Sequence, residues 1–306
     1  MQKKIVFMGT PEFSIQTLEK LALSDYKICC VYTQPQKKSS RGQKFKPSPV
    51  QITAEKFSIE IRQPENLNDE KEYQYFKNLK AYIVVVVAYG KIIPKNFLKL
   101  AERGFLNVHA SLLPKWRGAA PIQRSIINQD KVSGVSFMKI EEGLDTGPYM
   151  KQIKVNLDNQ VTTGDLSKKL SDIGANNILK CIELIENDQA IFVNQDNHEA
   201  TYAKKIIKSE SKIDWNESAE NILSKINAMN PSPGAWFFHL GERYKIWKAV
   251  VSDLSGKPSE VIDEKLTIAC KSKSLQIIEI QKEGKKRLTI GDFLAGNNIS
   301  IGQMIK

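Results

Sequence analysis

Asn107 and His109 stand one residue apart in the run GFLNVHA. Extended backbone has a period of two, so both side chains leave a strand on the same face and can converge on one atom. An amide that donates and an imidazole that exchanges protons near neutrality suit a developing oxyanion and a proton in transit. The pair closes an apolar run, and in open parallel sheets the functional crevice lies beyond the carboxyl ends of the strands. A plainer use is open as well, with Asn107 capping the turn and His109 packing locally. The run SLLPKWRGAAPI follows at once. Pro114 and Gly118 punctuate it as a loop, and Ala119, Ala120 and Pro121 suit the start of a helix.

The elements that would position this pair are legible upstream. KIVFMG, a helical stretch from Glu12 to Leu23, and KICCVYT alternate as strand, helix and strand, and the strands lack polar alternation. Such runs are buried on both faces. AYIVVVVAYG holds four consecutive valines, whose stiffness at the first side-chain torsion favours extended backbone, and belongs in the middle of the sheet. Pro94 can open a helix, and FLNVHA resumes the sheet after Gly104. The pattern is that of an α/β, doubly wound, mostly parallel and Rossmann-like sheet. VSGVSFMKI and PYMKQIKV then read as a hairpin around EEGLDTG. A helix signalled by Thr163, with an apolar stripe from Leu166 to Ile185, ends the first domain.

The expected division is 1–189 for that domain, 190–208 for a polar linker, and 209–306 for a second domain. After a helix near Ala219 to Met229, the short runs AWFFHL, RYKIWKAV, KLTIACKS and SLQIIEIQ are punctuated by Gly, Pro and Ser. They predict a small OB-like β-barrel. A chain of 306 residues exceeds what one core usually serves. With 41% hydrophobic and 26% charged residues it reads as soluble, without a membrane span, and its opening MQKKIVFMG leaves no room for a signal peptide, so it is expected in the cytoplasm. Cys29, Cys30, Cys181 and Cys270 have neither metal-ligand nor disulfide spacing and read as free buried thiols, and no metal is expected. A net charge of +11 favours a polyanionic partner without specifying one. Gly9 lacks the Gly-x-Gly-x-x-Gly context of a dinucleotide fold, so a dehydrogenase is a poor fit.

NVHASLLPKWRGAAPIQRSI closely resembles the signature of the formyltransferases that use 10-formyltetrahydrofolate, and GLDTG matches its second half. The similarity extends through FMGTPEFS, QITAEKFSI, VVVVAYGKIIP, KIDWNESA and AMNPSPGAW, nearly the whole chain. It implies a catalytic trio of Asn107, His109 and Asp145. A formyl group on a folate nitrogen is an amide, so attack by an amine builds an oxyanion and the departing nitrogen needs a proton. Asn107 would donate to the oxyanion, and His109 would give a second hydrogen bond or the proton. Asp145 would orient or charge the imidazole and, through a water, collect the amine's proton; alone, an Asp in such a loop is as readily a turn residue. The resemblance also implies that Ser111, Leu112, Leu113 and Pro114 line the folate site and that VVAYGKII touches the pteridine, although Leu112 and Leu113 also suit ordinary core packing.

The acceptor rests on two further features. TQPQKKSSRGQKFKPSPV carries Lys37, Lys38, Arg41, Lys44 and Lys46 and no acidic residue, and reads as an exposed, mobile loop able to follow a phosphate backbone or simply to be solvated. It resembles the inserted loop of the tRNA-acting members at Arg41-Gly42 and Lys46-Pro47-Ser48-Pro49. It departs from them at Gln36, where an acidic residue is usual, and at Ser39-Ser40. The second feature is the C-terminal domain, similar to the barrel of those members, with net charge +3 from Ile207 onward against +8 before it. Lys204, Lys205 and Lys208 would extend the surface; Trp215, Trp236 and Trp247 suit either base stacking or the barrel core. The implied partners are initiator methionyl-tRNA and the folate co-substrate, with a monomeric enzyme and no membrane. The alternatives are a formyltransferase for a small amine, such as glycinamide ribonucleotide or an amino sugar, and a noncatalytic RNA-binding protein.

Overall fold

The structure is a computed structural model and describes residues 2–39, 44–297 and 299–305. They pack as two units, one of residues up to 121 with 133–155 and 167–203, the other of 122–132, 156–166 and 204 onward. In chain order come β1 (Lys4–Gly9), α1 (Ile15–Ala22), β2 (Lys27–Tyr32), the hairpin β3 (Lys37–Ser39) and β4 (Lys44–Lys46), α2 (Pro49–Lys56), β5 (Ile61–Arg62) and α3 (Glu70–Leu79). Next are β6 (Ile83–Val87), β7 (Phe105–His109), the short β8 (Arg117–Gly118), α4 (Pro121–Ile127), β9 (Val132–Lys139), β10 (Tyr149–Asn156), α5 (Thr163–Glu186) and β11 (Tyr202–Ala203). The chain ends with α6 (Ala219–Ala228), β12 (Ala235–His239), β13 (Glu242–Ser252), β14 (Thr267–Ala269), β15 (Ser274–Lys282), β16 (Leu288–Thr289) and α7 (Ile290–Leu294).

The first unit is built on one sheet in the order β10-β9-β7-β6-β1-β2-β5. Strands β1, β2, β5, β6 and β7 run parallel, and β9 returns antiparallel beside β7. Every residue of β6 is buried, as its valine run requires. The chain leaves β1 on one side toward β2 and resumes on the other side at β6, so a crevice opens beyond the carboxyl ends of β1 and β6. Strand β7 is the next one along. Beneath one face, Phe76, Phe97 and Phe105 pack with Val84 and Val86.

Three local expectations are corrected. Pro94 opens a single 3-10 turn, Phe97–Lys99, because the chain must rejoin the sheet at Phe105 and has no room for a longer helix. Thr162, not Thr163, caps α5: its hydroxyl accepts from the Asp165 N–H at 3.2 Å and donates to that carboxylate at 2.6 Å. A cap bonds the backbone two or three residues on, which puts Thr163 one position too far in, and its hydroxyl goes to the Ala228 carbonyl instead. The basic segment is not one open loop. Strands β3 and β4 pair across it, Ser48 caps α2 by accepting from the Gln51 N–H at 3.0 Å, and Pro49 occupies the helix start.

The second unit carries an antiparallel sheet in the order β12-β13-β15-β14, with β16 on β15. Register shifts in β13 around Lys248 bend that strand, as bulges do, and curl the sheet over its core into a half-barrel. Trp215, Ile222, Ile226, Phe237, Ile246 and Ile277 fill that core. Trp215 is a core residue, whereas Trp236 and Trp247 are half-buried, their indole N–H groups donating to Ser211 and Gln281. No helix among the described residues is long and apolar enough to cross a membrane.

Candidate active site

Strand β7 turns Val108 away from the crevice, against α5 at Gly174, where a Cβ would fall 2.9 Å from Val108 Cγ1. Helix and strand therefore approach closely only because residue 174 has no side chain. The opposite face carries Asn107 and His109, 9% and 7% exposed. Asn107 lies between Val86 of β6 and Met138 of β9, and His109 is opposite Ser136. The sheet thus delivers both groups to one side, as the alternation predicts. Among the described residues the Asn107 side-chain amide forms no hydrogen bond, which leaves it free to donate.

Asp145 arrives from the loop between β9 and β10. Its backbone is left-handed, φ 51°, a conformation costing a non-glycine residue about 1 kcal/mol and needing support from its surroundings. Its Oδ2 accepts from the Gly118 N–H at 2.8 Å and lies 3.7 Å from His109 Nδ1. His109 Nε2 is 3.0 Å from the Trp116 carbonyl. A carbonyl only accepts, so Nε2 carries a proton, and Nδ1 faces the carboxylate. The structure therefore brings His109 and Asp145 together and sets Asn107 beside them on the same strand face.

The 111–114 loop is tied to the hairpin behind it. Ser136 Oγ donates to the Ser111 carbonyl at 2.6 Å and accepts from the Leu113 N–H at 3.0 Å, while Gln152 Nε2 donates to the Leu113 carbonyl at 2.7 Å. Ser111 spends its hydroxyl on the Lys115 carbonyl, Leu113 is buried, and Leu112 packs on Gly134 of β9. Across the crevice, the turn after β6 is held by Ser14 on the Val87 carbonyl, Thr10 on that of Tyr89, and Gln34 on those of Tyr89 and Gly90. Gly90 is left-handed, φ 77°, and a Cβ there would meet Gln34 Nε2 at 2.4 Å.

Of the basic residues, Lys46 ends β4 and is exposed, Lys37, Lys38 and Lys44 lie on the hairpin strands, and Arg41 lies outside the described residues. The four cysteines are free thiols, Cys29 half-buried and the others buried. Burial pushes Cys181 up to about 11 and Cys30 and Cys270 up to about 12, so none is a thiolate nucleophile near neutrality. Four residues that support the site escaped the sequence reading: Arg117, Ser136, Gln152 and Gln195. Arg117 is 2% exposed and sits within the recognised SLLPKWRG run; no local pattern marks the other three.

A doubly wound sheet with an amide, an imidazole and a carboxylate gathered at the carboxyl end of an inner strand suits an acyl-transferring enzyme, and the chain belongs to the formyl transferase family. Residues 3–182 match the formyl transferase domain and residues 205–298 the formyl transferase C-terminal domain. Within that family its curated relatives carry the name methionyl-tRNA formyltransferase: the protein of Pelagibacter ubique is 50% identical over 307 aligned positions, covering 100% of this chain and 99% of that one. Among solved structures, WlaRD, a sugar 3N-formyl transferase crystallised with dTDP and 5-N-formyl-THF, aligns with TM-score 0.69 at 21% identity over 94% of this chain and 100% of that one. The N-formyltransferase of Helicobacter canadensis, in complex with folinic acid and dTDP-3-aminofucose, aligns with TM-score 0.68 at 20% identity, covering 92% of this chain and all of that one.

Proposed function

We propose that this chain transfers the formyl group of 10-formyltetrahydrofolate to the free amino group of initiator methionyl-tRNA, giving N-formylmethionyl-tRNA for translation initiation. The observation that carries the reaction is the shared Asp145 Oδ2, bonded to the Gly118 N–H and facing His109 Nδ1 beside the unengaged Asn107 amide. When bound, the co-substrate supplies a formyl group on nitrogen, an amide activated for transfer. Asn107 donates to the oxygen as charge develops on it, a service worth about 100- to 1,000-fold in turnover. His109 Nδ1 hands a proton to the departing nitrogen, and Asp145 orients or charges the imidazole and takes up the proton of the incoming amine through a water. Ser111, Leu112, Leu113 and Pro114 form one wall for the pterin and the turn after β6 the other.

A second unit does not by itself select tRNA, because a sugar formyl transferase chain aligns over nearly the whole of this one. The acceptor is supported by the 50% identity to a relative named for methionyl-tRNA and by the basic hairpin. Lys37, Lys38, Arg41, Lys44 and Lys46 would follow the acceptor-stem phosphates, with residues 209–306 adding the second contact, 1–189 performing the transfer and 190–208 joining them. The reading makes the protein a cytoplasmic, monomeric enzyme.

The test is to incubate the protein with 10-formyltetrahydrofolate and methionyl-tRNA, deacylate the product and identify N-formylmethionine by mass spectrometry. Phosphate contacts predict that tRNA affinity falls steeply with salt, and Lys46→Ala should lower the slope of log affinity against log salt by about 1. Transfer to a free amino sugar or nucleotide amine that equals transfer to tRNA and ignores salt would overturn the acceptor; no transfer to any amine would overturn the reaction.

A further inference from the structure

The residues between the two matched family domains, from 183 to 204, contribute more to the site than a connection. Val193 bridges Tyr149 through backbone hydrogen bonds in both directions. Thr201 accepts at its carbonyl from the Arg117 N–H at 2.9 Å and at its hydroxyl from the Trp116 N–H at 2.9 Å. The Ala203 carbonyl accepts from the N–H groups of Ala119 and Ala120. One short segment thus grips the loop whose backbone meets the Asp145 carboxylate and the His109 ring, and at Tyr149 the end of the Asp145 loop itself.

Between those anchor points lies Gln195. Its Nε2 donates to the Asp145 carbonyl at 2.8 Å and the Gly147 carbonyl at 2.7 Å, and its Oε1 accepts from Arg117 Nε at 2.9 Å. A guanidinium only donates, so the amide has one workable orientation, with oxygen toward Arg117 and nitrogen toward the loop. Arg117 is in turn held by Nη2 on Asn197 Oδ1 at 2.8 Å. The loop being held is tightly shaped: Asp145 is left-handed, and Gly147 runs so close to Lys139 that a Cβ would fall 2.0 Å from its carbonyl oxygen. Two acceptors of that loop are satisfied by the same NH2 group, which fixes the direction in which the Asp145 carboxylate leaves the backbone.

We infer that Gln195 is a positioning residue for the transfer reaction: oriented by Arg117, it clamps the Asp145 loop so that the carboxylate faces His109. The inference rests on the formyl-transfer reading. Two substitutions separate positioning from bulk structure. Gln195→Ala removes both donors. Gln195→Glu keeps the shape and turns the Arg117 contact into an ion pair, yet places a carboxylate where the two carbonyls need a donor. A misplacement of about 1 Å in a reacting group can cost about 100-fold, so loss of the clamp is expected to cost about 10- to 100-fold. In the formylation assay both variants are expected to lose about that much in kcat, with KM for tRNA and folate within about twofold of the parent and the thermal midpoint of Gln195→Glu no lower.

In an Asp145→Asn background, Gln195→Ala should cost less than about twofold more, because residues acting as a unit are not additive. Full activity in Gln195→Glu, additive losses in the double variant, or a raised KM with unchanged kcat would overturn the assignment. Hydrogen exchange at Gly118, whose N–H donates to the Asp145 carboxylate, and at Lys139, whose N–H donates to the Pro148 carbonyl, gives a readout that needs no catalysis. Both variants should exchange there at least about 10-fold faster than the parent, and unchanged exchange in both would refute the clamp whatever the activity. A parent protein that is inactive in the assay, with the exchange difference present, would instead sink the formyl-transfer reading.

Discussion

The carboxyl end of the first unit's sheet and the core of the second unit are both buried, and they hold their shape by opposite means. At the sheet end the interior is polar: Asn107, His109, Ser111, Arg117 and Ser136 are all under a tenth exposed, and directional hydrogen bonds fix every one of them except the Asn107 amide. In the second unit Trp215, Phe237, Tyr244 and Phe293 pack ring against ring with isoleucines around them. Directional bonds specify where an atom sits, whereas apolar packing specifies mainly volume. The first region should be sensitive to single-atom changes with little effect on stability, and the second to volume changes with little effect on chemistry.

The largest expected effect tests the first half of that contrast. Asp145→Asn is isosteric, yet it removes the charge facing His109; kcat should fall about 1,000- to 10,000-fold while the unfolding midpoint stays where it was. A kcat near that of the parent would break the comparison. Next comes its mirror image. Phe237→Ala removes a fully buried ring from between Trp215 and Tyr244, and urea unfolding of the second unit should show a loss of about 3–5 kcal/mol. Turnover of the folded protein should stay within about twofold, since distant sites act independently.

The smallest effect sharpens the boundary. His239 is a buried imidazole of the second unit whose Nε2 has no partner among the described residues, and burial holds its pKa below the ordinary value of about 6.5. The unfolded chain therefore binds more protons below that pH, and stability falls as pH drops through about 6.5 and toward the folded value. His239→Gln should lose less thermal midpoint between pH 7 and pH 5.5 than the parent. Equal losses would show that this imidazole does not contribute.

How far the sequence could be read follows the same division. The strands announced themselves because burial on both faces forces continuous apolar runs, as in the fully buried β6. Asn107 and His109 could be paired because strand periodicity acts over two residues. The cap of α5 was misplaced by one because Thr162 and Thr163 are chemically alike and only the Asp165 contact distinguishes them. The basic segment read as open coil because its strand pairing has no apolar alternation to betray it.

Chain chemistry alone therefore determined the sheet, the same-face pair and the family signature, since torsional preference and burial periodicity are local. Tertiary structure decided which backbone N–H meets Asp145, 27 residues away at Gly118, and that Gln195, 50 residues away from that aspartate and 78 from Arg117, joins them. A glutamine in a polar stretch looks the same whether it faces water or closes a hydrogen-bond chain. Only the fold fixes which donor finds which acceptor.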